Sequence, residues 1–571
     1  MLIKKPGKLH STAAAVALLV LTAPNVTAAP ASACTTGLVE SKAGPVCGKS
    51  VTTDSGKQAN AFLGIPFAES TAGDRRWKPP VPKQAWTETL EAVQYGPVCP
   101  QYAVQPSAAE AGKQLSQIHH RHAKPDSRKL SETTGQSEDC LSLNIWTPPG
   151  IKPDAKLPVM VFIYGGGFSE GESSDPLYDG SFLAANKNVI LVSFNYRLGV
   201  LGFLATNELS GNYGFMDQQL ALSWVQNSIR DFGGDPGKVT IFGESAGAMS
   251  VGLHLFSAPG SAKLFRAGIM ESNFLALPYK RLEDQVNVGN VFKQGLNCRD
   301  LKCLQNTNVN DLLLAQDAFI PKMSTVFSGA KYYIPFTPVI DGVLLTRQPV
   351  VAAAERRANK PILLGTNKNE SVLFVNGQSI TPADYSAWTA SLFGLDFQKA
   401  IAKYPAQNDS SNSALWARIQ TDNFLRCSSR YVAANAAAPV YAYLFNHQPS
   451  FQVWGGPDCR ADDNVCHGAE LPFVFHSADK IGGRFTAEEE VLSNTIIDYW
   501  VNFATYLNPN GDPAASPVGV RWPQFSRHKK DYMGLNAPEV SVQNDPYREV
   551  CDFWDGIGYN LVEPWAAKPM K

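Results

Sequence analysis

Between residues 157 and 265 the chain alternates two hydrophobic rhythms. LPVMVFIY (157–164) and VILVSFNY (189–196) are unbroken apolar runs of strand length, which predicts strands buried on both faces. DQQLALSWVQNSI (217–229) instead places Leu220, Trp224, Val225 and Ile229 at helical spacing. VTIF (239–242) predicts the next strand and AGAMSVGLHLF (246–256) the helix after it. Further on, PILLG (361–365) and VYAYLF (440–445) read as strands. A long helix is predicted from Thr486, where Thr486 and Glu489 form a capping box and Val491, Ile496, Trp500 and Phe503 supply apolar positions. Strand and helix in series predict an α/β fold: a large, mostly parallel sheet with helices on both faces. No repeat of solenoid or propeller period interrupts the series. Residues 101–137 do break it. They are polar, with His119, His120, His122 and several basic residues, and a solvated surface loop is expected there, with a metal or anion site as the alternative.

Composition narrows the function classes. Of 571 residues, 44% are hydrophobic and 18% charged, as in ordinary globular proteins, and the net charge of −1 argues against a nucleic-acid surface. The N-terminus carries Lys4, Lys5 and Lys8, a short apolar core (STAAAVALLVL, 11–21) and the small-residue site Ala31-Ser32-Ala33. This pattern predicts a signal peptide over residues 1–33, a mature domain over 34–571 and a secreted or periplasmic destination. Cys34 directly after the site would suit a lipid anchor, but Ala31 stands where a lipobox has leucine. No later stretch has the apolar length of a membrane span, so no stable span is expected. Ten cysteines in an exported chain predict disulfides. The close pairs Cys298/Cys303 and Cys459/Cys466 lack the spacing of a metal site.

The candidate chemistry centres on VTIFGESAGAMS (239–250), where Ser245 sits between Gly243 and Gly247 after a strand and before a helix. That is the setting of a nucleophile elbow, with the new helix aiming its first N–H groups at a developing anion. Gly165, Gly166 and Gly167 follow an earlier strand, and the N–H groups of Gly166, Gly167 and Ala246 are the expected oxyanion donors. A serine needs a base and an orienting acid, in the order Ser, Asp/Glu, His. Of nine histidines, four precede residue 123 and His254 lies on the helix after the elbow. His447, His467, His476 and His528 remain, and the residues alone leave the choice open. Glu370, a few residues past the strand PILLG, is the candidate acid.

These motifs resemble the type-B carboxylesterase and cholinesterase family. NAFLGIPFAES, EDCLSLNIW, YGGGF, NYRLGVLGFL, FGGDPGKVTIFGESAGAMSV, FTPVIDG, GTNKNES, CHGAELPFVF, WPQF and CDFW occur in family order from about residue 60 to 554. The resemblance implies an α/β-hydrolase fold and a triad of Ser245, Glu370 and His467. It also implies disulfides Cys99–Cys140, Cys298–Cys303 and Cys427–Cys551, and an Arg76–Glu138 ion pair; Cys34–Cys47 and Cys459–Cys466 would use the remaining cysteines. Glu244 matches the acidic residue beside the family's serine. No tryptophan occurs between Trp86 and Trp146, where cholinesterases carry a cation–π face, so a choline ester is not the expected substrate. Glu271-Ser272-Asn273 stands where relatives have Gln-Ser-Gly.

The expected function is hydrolysis of small-molecule carboxylic esters through an acyl-enzyme, with no metal or cofactor required. Two alternatives carry different tests. A non-catalytic binding member of the fold would be inert to p-nitrophenyl acetate and organophosphates. An acyl hydrolase specialised for amides, lipids or polyesters would share the triad and differ in its pocket.

Overall fold

The chain divides into two units, Met1–Ala33 and Cys34–Lys571. The computed structural model describes residues 34–101 and 135–559, apart from 327–328, 357–358, 376, 409, 455–459, 513 and 515–518. The leader and the loop bearing His119, His120 and His122 thus lie outside the described residues.

The second unit is built on an 11-stranded sheet. In chain order its strands are β1 (Lys49–Thr52), β2 (Gln58–Pro66), β3 (Ser142–Thr147), β4 (Leu157–Ile163), β5 (Ile190–Phe194), β6 (Gly234–Glu244), β7 (Ala267–Glu271), β8 (Ile362–Asn367), β9 (Val440–Phe445), β10 (Asp531–Leu535) and β11 (Ser541–Asn544). Across the sheet the order is β11-β10-β9-β8-β7-β6-β4-β5-β3-β2-β1. Neighbours from β5 to β10 are parallel; the flanking pairs are antiparallel. Burial explains the division. Every residue of β5, β7, β8 and β9 is buried, because crossover helices cover both faces. The edge strands β1 and β11 are four residues each and alternate half-buried and exposed positions, short enough to offer little edge for further pairing.

Three helices bear on the site. α1 (Tyr213–Ser228) starts four residues before the apolar pattern and leaves Leu220 half-buried. α2 (Ala246–Phe256) has the bounds read from the sequence. α3 (Ala487–Tyr506) begins with the expected capping box: Glu489 N–H donates to Thr486 Oγ1 (3.2 Å) and Thr486 N–H to Glu489 Oε2 (2.8 Å). Val491 is a correction, being 65% exposed. The buried stripe of α3 runs through Leu492, Ile496, Trp500 and Phe503, and Val491 sits about 100° round the helix from Leu492.

Four disulfides match the expected pairings: Cys34–Cys47, Cys99–Cys140, Cys298–Cys303 and Cys427–Cys551. Cys466 is also disulfide-bonded, while Cys459 lies outside the described residues. Arg76 grips Glu138 with Nε and Nη2, both at 2.7 Å. Among the described residues no helix is long and apolar enough to cross a membrane.

Candidate active site

The parallel register sets the geometry of the site. Glu244 ends β6 opposite Glu271 at the end of β7, and Glu271 in turn faces Gly365 of β8. The chain then reverses through Ser245, whose φ of 56° and ψ of −123° lie in a region that side-chain-bearing residues rarely occupy. Neighbouring backbone holds it there. Ser245 N–H donates to the Glu271 carbonyl at 3.0 Å, and the Ser245 carbonyl accepts from Met249 N–H at 2.8 Å. The turn is possible because Gly247 has no side chain: a methyl there would sit 1.8 Å from the Ile163 carbonyl oxygen.

The glycine loop after β4 packs against this turn. A methyl on Gly165 would lie 2.9 Å from Glu244 Oε2 and 3.0 Å from Ser245 Cβ. So close an approach sets the glycine loop beside Ser245. Among the described residues, the N–H groups of Gly166, Gly167 and Ala246 donate to no protein acceptor. Ala246 opens α2, where the unpaired amides carry the positive end of the helix dipole.

Glu370 lies three residues beyond β8 and is fully buried. Its Oε1 accepts from Asn367 N–H at 2.7 Å, and its Oε2 lies 2.7 Å from His467 Nδ1. The main chain of His467 is held on both sides, and aromatic rings flank its imidazole. His467 N–H donates to the Glu370 carbonyl (3.2 Å), and Trp454 Nε1 donates to the His467 carbonyl (2.7 Å). The rings of Phe274 and Phe374 stand 5.5 and 5.1 Å from the imidazole. Its other nitrogen, Nε2, lies 3.0 Å from Glu244 Oε1. That approach is a charge contact, since neither atom has a hydrogen-bond partner. Among the described residues no hydrogen bond joins Ser245 to His467. Burial alone would lower the imidazole's pKa, but the carboxylates of Glu244 and then Glu370 outweigh it and hold it well above the ordinary histidine value.

The other candidate histidines are occupied elsewhere. His447 Nε2 lies 3.1 Å from Glu489 Oε1 at the start of α3. His476 Nδ1 contacts Ser493 Oγ at 2.8 Å, and His528 is exposed. Behind Glu370 a buried polar shell had no distinct signal in the sequence. Asn367 Nδ2 donates to the Cys466 carbonyl (2.8 Å) and to Glu470 Oε2 (2.5 Å). Glu470 is fully buried, and burial, with the charges of Glu244 and Glu370, raises it to about 8. Glu271 accepts from Trp500 Nε1 (2.6 Å) and is raised well above the carboxylate range by burial, then by Glu470. The contact of Glu244 with the imidazole was likewise not legible; its place beside Ser245 was the one available hint. Among the described residues no cluster of side chains is arranged to hold a metal ion.

Residues 35–554 match the model of the carboxylesterase family. The chain is 33% identical to acetylcholinesterase of Electrophorus electricus, over 87% of this chain and 84% of that one. It is 36% identical to the cAMP-regulated D2 protein of Dictyostelium discoideum, over 88% and 90% respectively. Among solved structures it resembles a PNB esterase with a TM-score of 0.74 at 31% identity, covering 91% of this chain and 100% of the other. A thermophilic PNB esterase gives a TM-score of 0.75 at the same identity. Matched from its first strands to its last helix, this chain belongs to the carboxylesterase family and is a carboxylic ester hydrolase of the serine type.

Proposed function

We propose that Ser245, His467 and Glu370 form the catalytic triad of an exported esterase that works through an acyl-enzyme. In the first half-reaction Ser245 Oγ bonds to the ester carbonyl carbon while its proton passes to His467 Nε2. The carbonyl electrons move onto oxygen, and the resulting oxyanion is held by the N–H groups of Gly166, Gly167 and Ala246. Collapse breaks the carbon–oxygen bond to the alcohol, which leaves with the proton from His467. Water then repeats the sequence, releasing the carboxylic acid and restoring Ser245.

The observation that carries the reading is the 2.7 Å contact of Glu370 Oε2 with His467 Nδ1, on a fully buried carboxylate. It directs the lone pair of Nε2 away from Glu370 and steadies the imidazolium that forms in the transition state. Before accepting the serine proton, Nε2 must turn from Glu244 Oε1, 3.0 Å away, toward Ser245. Export is supported by the leader pattern of residues 1–33 and by four disulfides in the described chain, which form in oxidising compartments.

The deciding experiment compares Ser245→Ala with the parent chain on p-nitrophenyl acetate. The parent releases a burst of nitrophenol equal to its active sites and is labelled by an organophosphate on Ser245. The variant loses both. Full turnover by Ser245→Ala would refute the assignment.

A further inference from the structure

Beyond the glycines the loop folds back on itself. The N–H groups of Ser169 and Glu170 both donate to the Gly166 carbonyl, at 3.0 and 3.1 Å. This turn lays Glu170 against the oxyanion loop: a methyl on Gly166 would lie 2.2 Å from the Glu170 carbonyl oxygen and 3.0 Å from its Cγ. The next residue is pinned. Gly171 N–H donates to Gln101 Oε1 (2.8 Å), and its carbonyl accepts from Gln101 Nε2 (2.9 Å). Glu170 is therefore set against Gly166, the residue after Gly165, which packs on Ser245.

Glu170 is half-buried, and among the described residues its carboxyl has neither a hydrogen-bond nor an ion-pair partner. Its charged surroundings have the same sign. Glu172 and Asp175 follow on the same segment, and Glu244 stands at the end of β6; Tyr178 feels the charges of Asp175, Glu244 and Glu170 together. No described lysine or arginine pairs with any of these four carboxyl groups. Burial pushes Glu170 up to about 7, and burial together with Asp175 raises Glu172 as well.

We propose that Glu170 is a specificity-determining residue that discriminates against esters bearing a negative charge near the scissile carbonyl, so that the site takes neutral esters over anionic ones of the same shape. A substrate carboxylate would add to the charge already developing on the oxyanion, in a half-desolvated place where no described lysine or arginine offsets it. Because Glu170 loses its proton as pH rises through neutrality, the discrimination strengthens over that range. The inference rests on Ser245 and the Gly166–Gly167 loop as the reacting centre.

The test is the ratio of kcat/KM for p-nitrophenyl pentanoate to that for the p-nitrophenyl hemiester of glutaric acid. It is measured at pH about 8 and low salt, with uncatalysed hydrolysis subtracted. A ratio within one enzyme sample is independent of how much of a variant has folded. Glu170→Gln lowers it on the order of five- to tenfold, Glu170→Lys lowers it further, and added salt narrows it in the parent. An unchanged ratio in both variants, with Ser245 still labelled by an organophosphate, overturns the role of Glu170 alone. Absence of labelling in the parent, with Ser245→Ala fully active, overturns the reacting centre instead.

Discussion

Replacing Glu244 by glutamine should move the acid limb of the pH–rate profile. The side chain keeps its shape and burial but loses its charge 3.0 Å from His467 Nε2. Two unit charges at that distance interact by about 1.4 kcal/mol at the dielectric of water and about 5.5 kcal/mol at an effective dielectric of 20. Both groups are almost fully buried, so even the lower figure is conservative. One pKa unit corresponds to about 1.4 kcal/mol. In the proposed mechanism His467 must be neutral to accept the serine proton, and Glu244 favours its charged form. Without Glu244 the imidazolium loses its proton more readily, and the acid limb of kcat/KM falls by at least about one pH unit. The same carboxylate also stabilises the imidazolium that forms in the transition state, so the plateau above the limb drops by several-fold. The assay is kcat/KM for a neutral p-nitrophenyl ester from pH about 4 to 9, normalised to sites titrated with an organophosphate. A limb that stays in place, or moves upward, would show that Glu244 does not control the charge of His467.

Gly247→Ala forces a methyl to within 1.8 Å of the Ile163 carbonyl oxygen, so the turn that presents Ser245 must open. Its activity should fall by at least about a hundredfold while circular dichroism still reports a folded sheet, since such a shift spoils alignment with the base. Glu489 caps α3, accepts from Ser450 and faces His447; burial would raise its carboxyl, but these contacts outweigh it and hold it at about 2. Its stabilisation is therefore present above the unfolded glutamate's pKa and lost as pH falls toward about 2. Glu489→Ala should lower the denaturant midpoint near neutrality and flatten its dependence on pH in the acid range, and an acid slope as steep as the parent's would count against the assignment.

Much of the scaffold was legible in short windows. Apolar runs of strand length became β4, β5, β8 and β9, and the capping box placed the start of α3, because these signals depend on residues a few positions apart. Errors arose where a local pattern left a choice. Val491 looked as suitable for the core as Leu492, and which face of α3 meets the sheet is decided by packing. His447 and His467 could not be separated by local pattern; the structure ties His447 to Glu489 at the head of α3. The family's motif pointed to His467, which the structure places against Glu370, but it said nothing of the second carboxylate at its Nε2 or of the Phe274 and Phe374 rings beside it.

From the sequence alone came an alternating α/β chain, a serine between two glycines at a strand-to-helix turn, a glycine run after an earlier strand and the family motifs that contain Glu370 and His467. The fold alone set Glu370 on one nitrogen of the His467 imidazole, Glu244 on the other, and Glu170 against Gly166. The reason is distance along the chain. Capping and periodicity act within one or two turns, whereas Glu244 and His467 meet across more than two hundred residues, because parallel register brings the ends of separate strands to one edge.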